Sequence, residues 1–443
     1  MPLSETEAAV SAPVEALAFV VYGVLVVVFV ALSRVLRRHQ VTAPIAFVLA
    51  GVGLALIVPA GAGGRWTGIK VVAEVTLVLL LFHDAAQVRP REIERDRAAM
   101  LRLLLIGLPL TIGLGYLTAR WLLPELPVMF ALLLAAALAP TDAGLGAATV
   151  LNPVVPVRVR RLLNVESGLN DGLATPVVLF AIAAIAGSEG LQVRVSVASA
   201  LLEMAIGVAI GIGIGAAGAM VLGRSRQGRT STADGRALAV LLLPLLAYAL
   251  AIVTSGNGFV AAFVCGTSFA GAARWLREEE SALHLTEQFA DPLGYAVWLV
   301  FGYVALRVVW GGAGPRELLF AVLALTVLRM VPVALSLIGS GFHWRTVLFV
   351  GWFGPRGLAS VVFALLAVES LEPDGSLDIV LTTATLTVLG SVLAHGVTAD
   401  PWSRRYGAWV GATQPPAEVR TTSEPRSRDG SMGRSTAGVA PPD

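Results

Sequence analysis

Long apolar stretches recur along almost the whole of this chain. We count about thirteen, over residues 14–32, 43–59, 69–85, 99–121, 127–150, 160–186, 197–222, 236–253, 257–273, 284–306, 316–338, 346–368 and 376–398. A straight crossing of a bilayer takes roughly 20 apolar residues, so the shorter stretches imply tilt or half-helices. In hydrocarbon every backbone N–H and C=O must be bonded inside the protein, which leaves helices for runs of this length. Only 14% of the 443 residues are charged, against about 25% in soluble domains. The sequence predicts an all-α polytopic membrane protein.

The loops support that count. Arginines cluster after the first stretch (Arg34, Arg37, Arg38), the third (Arg89, Arg91, Arg95, Arg97), the fifth (Arg158, Arg160, Arg161) and the seventh (Arg224, Arg226, Arg229, Arg236). Smaller groups follow the ninth (Arg274, Arg277), eleventh (Arg345) and thirteenth (Arg404, Arg405). The alternate loops are poor in such residues, with Arg65, Lys70, Arg120, Arg194, Arg307 and Arg316 as their main members. Positive loops stay on the cytoplasmic side, which puts the N-terminus outside and the C-terminus inside a cell membrane. The start of the chain carries Glu5, Glu7 and Glu15 and no positive region. It makes a poor signal peptide, so the first helix is expected to remain. We divide the chain into a transmembrane domain, residues 1–400, and a cytoplasmic tail, 411–443, rich in Pro, Ser, Thr, Arg and Gly and expected to be disordered.

The net charge of +2 gives no reason to expect a nucleic-acid partner. The one cysteine, Cys265, sits in a small-residue apolar run and reads as a packing residue. No zinc or haem spacing is present, and no cofactor is expected beyond transported ions.

Within the sixth stretch, Asn164-Val165-Glu166-Ser167-Gly168-Leu169-Asn170-Asp171-Gly172 places two carboxylates, a hydroxyl and an amide at membrane depth. A charge there costs several kcal/mol unless it has a partner, a proton or a cation. Glu166 and Asn170 are four apart, as are Ser167 and Asp171, so a helix gathers them on one side. Oxygen groups clustered in this way suit a monovalent cation or a proton.

Two further stretches look interrupted. The fifth contains Ala139-Pro140-Thr141-Asp142-Ala143-Gly144, and the twelfth Gly351-Trp352-Phe353-Gly354-Pro355-Arg356-Gly357. Each sets an ionisable residue beside Gly and Pro, which break helices. Paired broken helices in the two halves of a transporter mark a midplane site at the interface of inverted repeats. The deep ionisable set is Asp84, Asp142, Glu166, Asp171, Arg329 and Arg356, while Glu74, Glu203, Glu287 and Asp291 read as interfacial. Asp171 is the expected carrier, since one carboxylate can hold a cation or a proton but hardly both. Thr141, Asp142, Ser167 and Asn170 are the expected neighbours of the ion. Arg356 is expected to pair with Glu166. Arg329 reads as a snorkelling or structurally paired side chain and, equally, as a residue with a role in the site. Asp84 reads as lining an ion pathway or as solvated, and His83 beside it as an interfacial histidine.

The run Asn164 to Pro176 resembles the Asn-Asp signature of the cation:proton antiporter 1 family, the bacterial sodium/proton antiporters related to the animal exchangers. Ala139-Pro140-Thr141-Asp142 resembles that family's Thr-Asp motif, and Gly354-Pro355-Arg356-Gly357 its arginine-bearing segment. Asp84 falls where members often carry an acidic residue. Members often have Pro after the Thr-Asp pair, where this chain has Ala143. The resemblance covers residues 14–400. It implies exchange of Na+, or of K+ or Li+, for H+, and two broken helices crossing at mid-membrane. It also implies a homodimer whose six-helix core moves as an elevator, with Na+ held at Asp171 near Thr141, Asp142 and Ser167. Asn170 before Asp171 resembles the electroneutral branch. Two other classes stay open: a sodium-coupled solute symporter, and an intramembrane aspartyl protease with Asp142 and Asp171 as its dyad.

Overall fold

The computed structural model describes residues 5–38, 41–57, 67–88, 96–150, 152–188 and 197–419. Arg65, Arg89, Arg91, Arg95, Arg194 and residues 420–443, which enter the loop and tail expectations, lie outside the described residues. Every regular element among them is helical. Among the described residues, eight helical spans are long and apolar enough to cross a membrane, and four shorter helices are apolar as well. The chain is a multi-pass membrane protein.

The first helices are α1 (Glu5–Arg38), α2 (Ala43–Ile57), α3 (Thr67–Gln87), α4 (Arg97–Arg102) and α5 (Leu108–Leu122), with a π-helical turn (Leu103–Gly107) joining the last two. Next come α6 (Val128–Ala137), the single turn α7 (Ala147–Val150) and the long α8 (Val157–Ser188). They are followed by α9 (Val197–Gln227), α10 (Ala233–Val253), α11 (Gly258–Ala272) and α12 (His284–Trp310). The chain continues through α13 (Pro315–Leu325), α14 (Val327–Ser336), α15 (Trp344–Trp352), α16 (Leu358–Ser370) and α17 (Gly375–Thr413).

Three of the apolar stretches are not single helices. Residues 138–146 separate α6 from α7, and 353–357 separate α15 from α16, at the two Pro-containing breaks. The third interruption, at Thr326 (φ −115°, ψ −93°), divides α13 from α14. It was not expected, since Pro332 lies six residues further on.

Close backbone packing organises α9 against α11. Gly207, Gly211 and Gly215 recur every four residues along one face of α9. A Cβ on them would lie 2.5, 2.6 and 2.4 Å from the carbonyl oxygens of Asn257, Ala261 and Cys265. Small residues let helix backbones approach where lipid gives no hydrophobic drive to associate. Cys265 is fully buried in this seam, in the packing role expected of it. On the neighbouring helix α3, Phe82 offers its carbonyl 2.4 Å from a Cβ on Gly266, so α3, α9 and α11 form one tight group. α3 also contacts α8 and α16, the helices that carry the polar residues.

The ordered chain runs beyond Gly411, where composition places the tail. α17 continues to Thr413 because Tyr406 stacks on Phe349, with centroids 4.2 Å apart, and Val410 is buried. Gln414 then turns the chain through a left-handed conformation (φ 45°). Glu418 is buried, accepting from His343 N (2.8 Å) and Thr346 Oγ1 (2.6 Å), and the carbonyl of Ala417 accepts from Arg158. Arg158 is also bonded to Asp96.

The seam makes a direct prediction. Gly211→Val should force α9 from α11 and lower stability in detergent by about 1–3 kcal/mol, as overpacking does. Gly213→Val, on the same helix with nothing within 4 Å of its added Cβ, should melt as the parent does. Equal melting temperatures for the two variants would contradict this packing.

Candidate functional site

The two Pro-containing breaks meet. Asp142 N donates to the carbonyl of Pro355 at 2.8 Å, so the unwound residues of one segment bond directly to those of the other. A helix end inside a membrane exposes backbone groups that water cannot reach. The structure closes these ends with the charged residue of the opposite break. Asp142 Oδ2 accepts from Leu358 N (2.6 Å), the first residue of α16, while its Oδ1 accepts from Gly144 N (2.7 Å) and Leu145 N (3.0 Å). A carboxylate at a helix N-terminus also complements the macrodipole. Gly357 is required here, because a Cβ on it would lie 2.1 Å from Asp142 Oδ2.

Arg356 does the converse. Its Nη1 donates to the carbonyls of Ala139 (2.6 Å) and Pro140 (3.1 Å), beyond the end of α6, and its Nη2 reaches the carbonyl of Ala324 (3.5 Å) near the end of α13. Ser360 Oγ adds a bond to the carbonyl of Ala137 (2.7 Å). The guanidinium, 1% exposed, is therefore compensated by carbonyl dipoles at two helix C-termini.

This overturns one expectation. Glu166 does not pair with Arg356; it is held bidentately by Arg329, at 2.5 and 2.8 Å, with both side chains about 5% exposed or less. The physical reason is access. Arg356 sits inside the unwound segment with open carbonyls on two sides, whereas Arg329 projects from α14 beneath Gly354. A Cβ on Gly354 would lie 2.5 Å from Arg329 Nε and 2.9 Å from Thr141 Cγ2. A planar fork facing a carboxylate is the geometry that makes a buried pair hold.

The polar side chains of α8 converge on the crossing. Asn170 Nδ2 donates to Thr141 Oγ1 (2.7 Å), and Thr141 Oγ1 lies 2.9 Å from Ser167 Oγ. Asn170 Oδ1 is buried without a hydrogen-bond partner. Asp171, 8% exposed, follows in the next position, and its own carbonyl accepts from Thr175 Oγ1 (2.7 Å). Gly168 and Gly172 let neighbouring helices press against α8 on either side of this pair. A Cβ on Gly172 would meet the Phe263 ring of α11 at 2.1 Å, and one on Gly168 would lie 3.4 Å from the carbonyl of Asp84 on α3. Asp84 thus borders the run that carries Asp171, and it is half-buried. His83 is buried rather than interfacial and contacts Gln87. Glu287 is buried too, while Glu74 is half-buried and accepts from the Tyr248 hydroxyl at 3.3 Å.

Thr141, Ser167 and Asn170 therefore bond to one another next to Asp142, while Asp171 follows Asn170 on α8 and Glu166 is engaged by Arg329. Ser391 and His395 of α17 were not singled out, although they bond to the unwound segment 353–357. The signal was available: His395 is a lone titratable residue within Leu389–Val397.

Residues 24–405 match the family model described as sodium/hydrogen exchanger, transmembrane. The chain is similar to the Na(+)/H(+) antiporter of Schizosaccharomyces pombe, 26% identical over 335 residues, covering 67% of this chain and 68% of that protein. It is similar to the K(+)/H(+) antiporter NhaP of Alkalimonas amylolytica, 27% identical over 401 residues, covering 88% of this chain and 66% of that one. The fold is similar to that of the sodium proton antiporter MjNhaP1 from Methanocaldococcus jannaschii, with a TM-score of 0.69 at 19% identity, covering 88% of this chain and 99% of that chain.

The Glu166–Arg329 pair is testable by a double-mutant cycle. Removing one partner of a buried pair strands the other charge, at a cost of about 3–5 kcal/mol. Glu166→Gln and Arg329→Met should each lower the melting temperature in detergent sharply. The double variant should be less destabilised than the sum of the two. Additive losses would mean that the side chains act independently.

Proposed function

The chain belongs to the sodium/hydrogen exchanger family, and we propose that it exchanges a monovalent cation, Na+ first, for H+ across a cell membrane. The observation that carries this reading is the meeting of the two helix breaks with the polar face of α8 that carries Asp171. Asp142 caps backbone N–H groups, Glu166 and Arg329 hold each other, and Arg356 caps carbonyls. Asp171 is buried on α8 directly after Asn170 and one helical turn beyond Ser167. Ser167 and Asn170 bond Thr141 at the crossing, and Asn170 Oδ1 is a buried acceptor with no donor. Carboxylate, hydroxyl and amide oxygens are the ligands a hard cation takes. A proton on Asp171 removes the charge that holds the cation, so binding of one ion excludes the other. That competition is sufficient to couple two opposed fluxes.

The same reading assigns one cation per proton, with Asn170 in place of a second acidic residue before Asp171. Asp142 acts at longer range in this scheme, since its oxygens already accept three N–H bonds. Alternating access by elevator motion, a homodimer, an external N-terminus and a cytoplasmic C-terminus complete the proposal. Asp84, bordering Gly168, lines the approach to Asp171. K+ stands as the second cation on the strength of the relative named a K(+)/H(+) antiporter. The aspartyl-protease reading is disfavoured because Asp142 is committed to capping and is not poised to share a proton with Asp171.

Proteoliposomes with an imposed pH gradient and an enclosed pH dye test the proposal. Addition of Na+, K+ or Li+ should dissipate the gradient with the wild-type protein. Asp171→Asn should reduce that response to the level of protein-free vesicles, with the fold intact by melting. Full exchange by the Asp171→Asn variant would overturn the assignment.

A further inference from the structure

The unwound segment 353–357 is gripped at both ends by one face of α17. Ser391, His395, Thr398 and Trp402 recur at helical spacing along that face. At the first end, Phe353 (φ −80°, ψ 60°) forms an inverse γ-turn in which the carbonyl of Trp352 accepts from Gly354 N at 2.8 Å. The same carbonyl lies 2.8 Å from His395 Nε2. A carbonyl only accepts, so this is a hydrogen bond when Nε2 carries the hydrogen. The Trp352 indole donates to Thr398 Oγ1 (2.9 Å) and packs against the His395 ring, with centroids 5.3 Å apart. At the second end, Arg356 N donates to Ser391 Oγ at 2.7 Å.

The two ends are linked through the imidazole. Nδ1 faces Ser391 Oγ at 3.3 Å and the Ser391 carbonyl at 2.9 Å, so it accepts from the hydroxyl when Nε2 holds the hydrogen and donates to the carbonyl when it holds the hydrogen itself. In the Nε2–H tautomer the bonds run in one direction, from Arg356 N–H to Ser391 Oγ–H to His395 Nδ1, and from His395 Nε2–H to the Trp352 carbonyl. Ser391 and His395 are buried, at 0 and 3% exposure, so water does not replace these bonds.

We infer that His395 is a positioning residue for ion exchange: with Ser391 it clamps both ends of the unwound segment and thereby sets where Gly354 and Pro355 lie against Thr141 and Asp142. The clamp reaches the ion-binding residues through two contacts. Pro355 O receives Asp142 N at 2.8 Å, and Gly354 packs on the Thr141 methyl and on Arg329. Thr141 in turn bonds Ser167 and Asn170. His395 touches none of the proposed ion ligands, so it acts through the backbone that carries them. The inference rests on the exchange reading above. It assigns a role to a residue outside the site.

The experiment measures the cation concentration for half-maximal exchange and the maximal rate in proteoliposomes, for wild type, His395→Leu, His395→Gln and Ser391→Ala. Leucine fills the cavity but gives the Trp352 carbonyl no donor. The half-saturating concentration should rise several-fold, about fivefold for the loss of one net hydrogen bond's worth of ordering, with the maximal rate much less affected. Glutamine can restore an N–H to the Trp352 carbonyl and should return the half-saturating concentration close to the wild-type value. Ser391→Ala opens the other end and should shift it in the same sense as leucine. It also carries the test should His395→Leu fail to fold. Equal values for leucine and wild type, or equal shifts for leucine and glutamine, would overturn the clamp. A wild type with no cation-dependent exchange, or an Asp171→Asn variant that still exchanges, would instead overturn the exchange reading.

Discussion

An interrupted helix inside a bilayer leaves N–H and C=O groups that have neither a helical partner nor water. Everything around the centre of this protein follows from how two such interruptions are closed. Each break supplies the charge that the other needs. Asp142, on the unwound residues after α6, caps the start of α16. Arg356, on the unwound residues before α16, takes the carbonyls beyond α6. Neither break is satisfied alone, and the direct bond from Asp142 N to Pro355 O ties the exchange together. The charges are therefore local solutions to backbone chemistry before they are anything else.

That solution determines how the other buried charges pair. Arg356 is spent on carbonyls, so Glu166 requires another cation, and Arg329 supplies it from α14. Arg329 reaches Glu166 by passing under Gly354, a position where any side chain would collide with its guanidinium. The break at Thr326 belongs to the same arrangement, since it separates α14, which carries Arg329, from α13, whose terminal region offers the Ala324 carbonyl to Arg356. With these four charges engaged, the hydroxyls of Thr141 and Ser167 and the amide of Asn170 bond to one another where α8 meets the crossing, and Asp171 follows on the same helix.

Much of this was legible in the sequence, and the reason is that lipid narrows the choices. The apolar periods announced helices, Pro140 and Gly354-Pro355 announced the breaks, and the spacing from Glu166 to Asp171 announced a polar face. What failed was partner choice. Arg329 and Arg356 are both arginines in apolar stretches, and nothing local separates a guanidinium that will meet carbonyls from one that will meet a carboxylate. Only the crossing of segments far apart in the chain decides it. The break at Thr326 carries no Gly or Pro, and the carbonyl it leaves open is closed by a residue 32 positions away. His395 and Ser391 lie on an apolar helix whose polar face is invisible until the unwound segment is laid against it. Nor does composition reveal the burial of Glu418 and the stacking of Tyr406 near the end of α17.

Reciprocal capping also bears on how far the two breaks can separate. Opening the crossing would strip Asp142 from the start of α16 and Arg356 from the end of α6 at the same time. Two helix ends and two charges would be left without partners in a low-dielectric medium, where each unsatisfied group costs several kcal/mol. A motion that separates the two breaks therefore opposes the strongest local bonds, whereas one that carries both breaks together keeps every cap intact. Nearby, α8 meets α11 and α3 through Gly172 and Gly168, which face the Phe263 ring and the backbone and Cβ of Asp84. The reciprocal caps bind the two breaks into a single unit, because each supplies the partner that the other would lose.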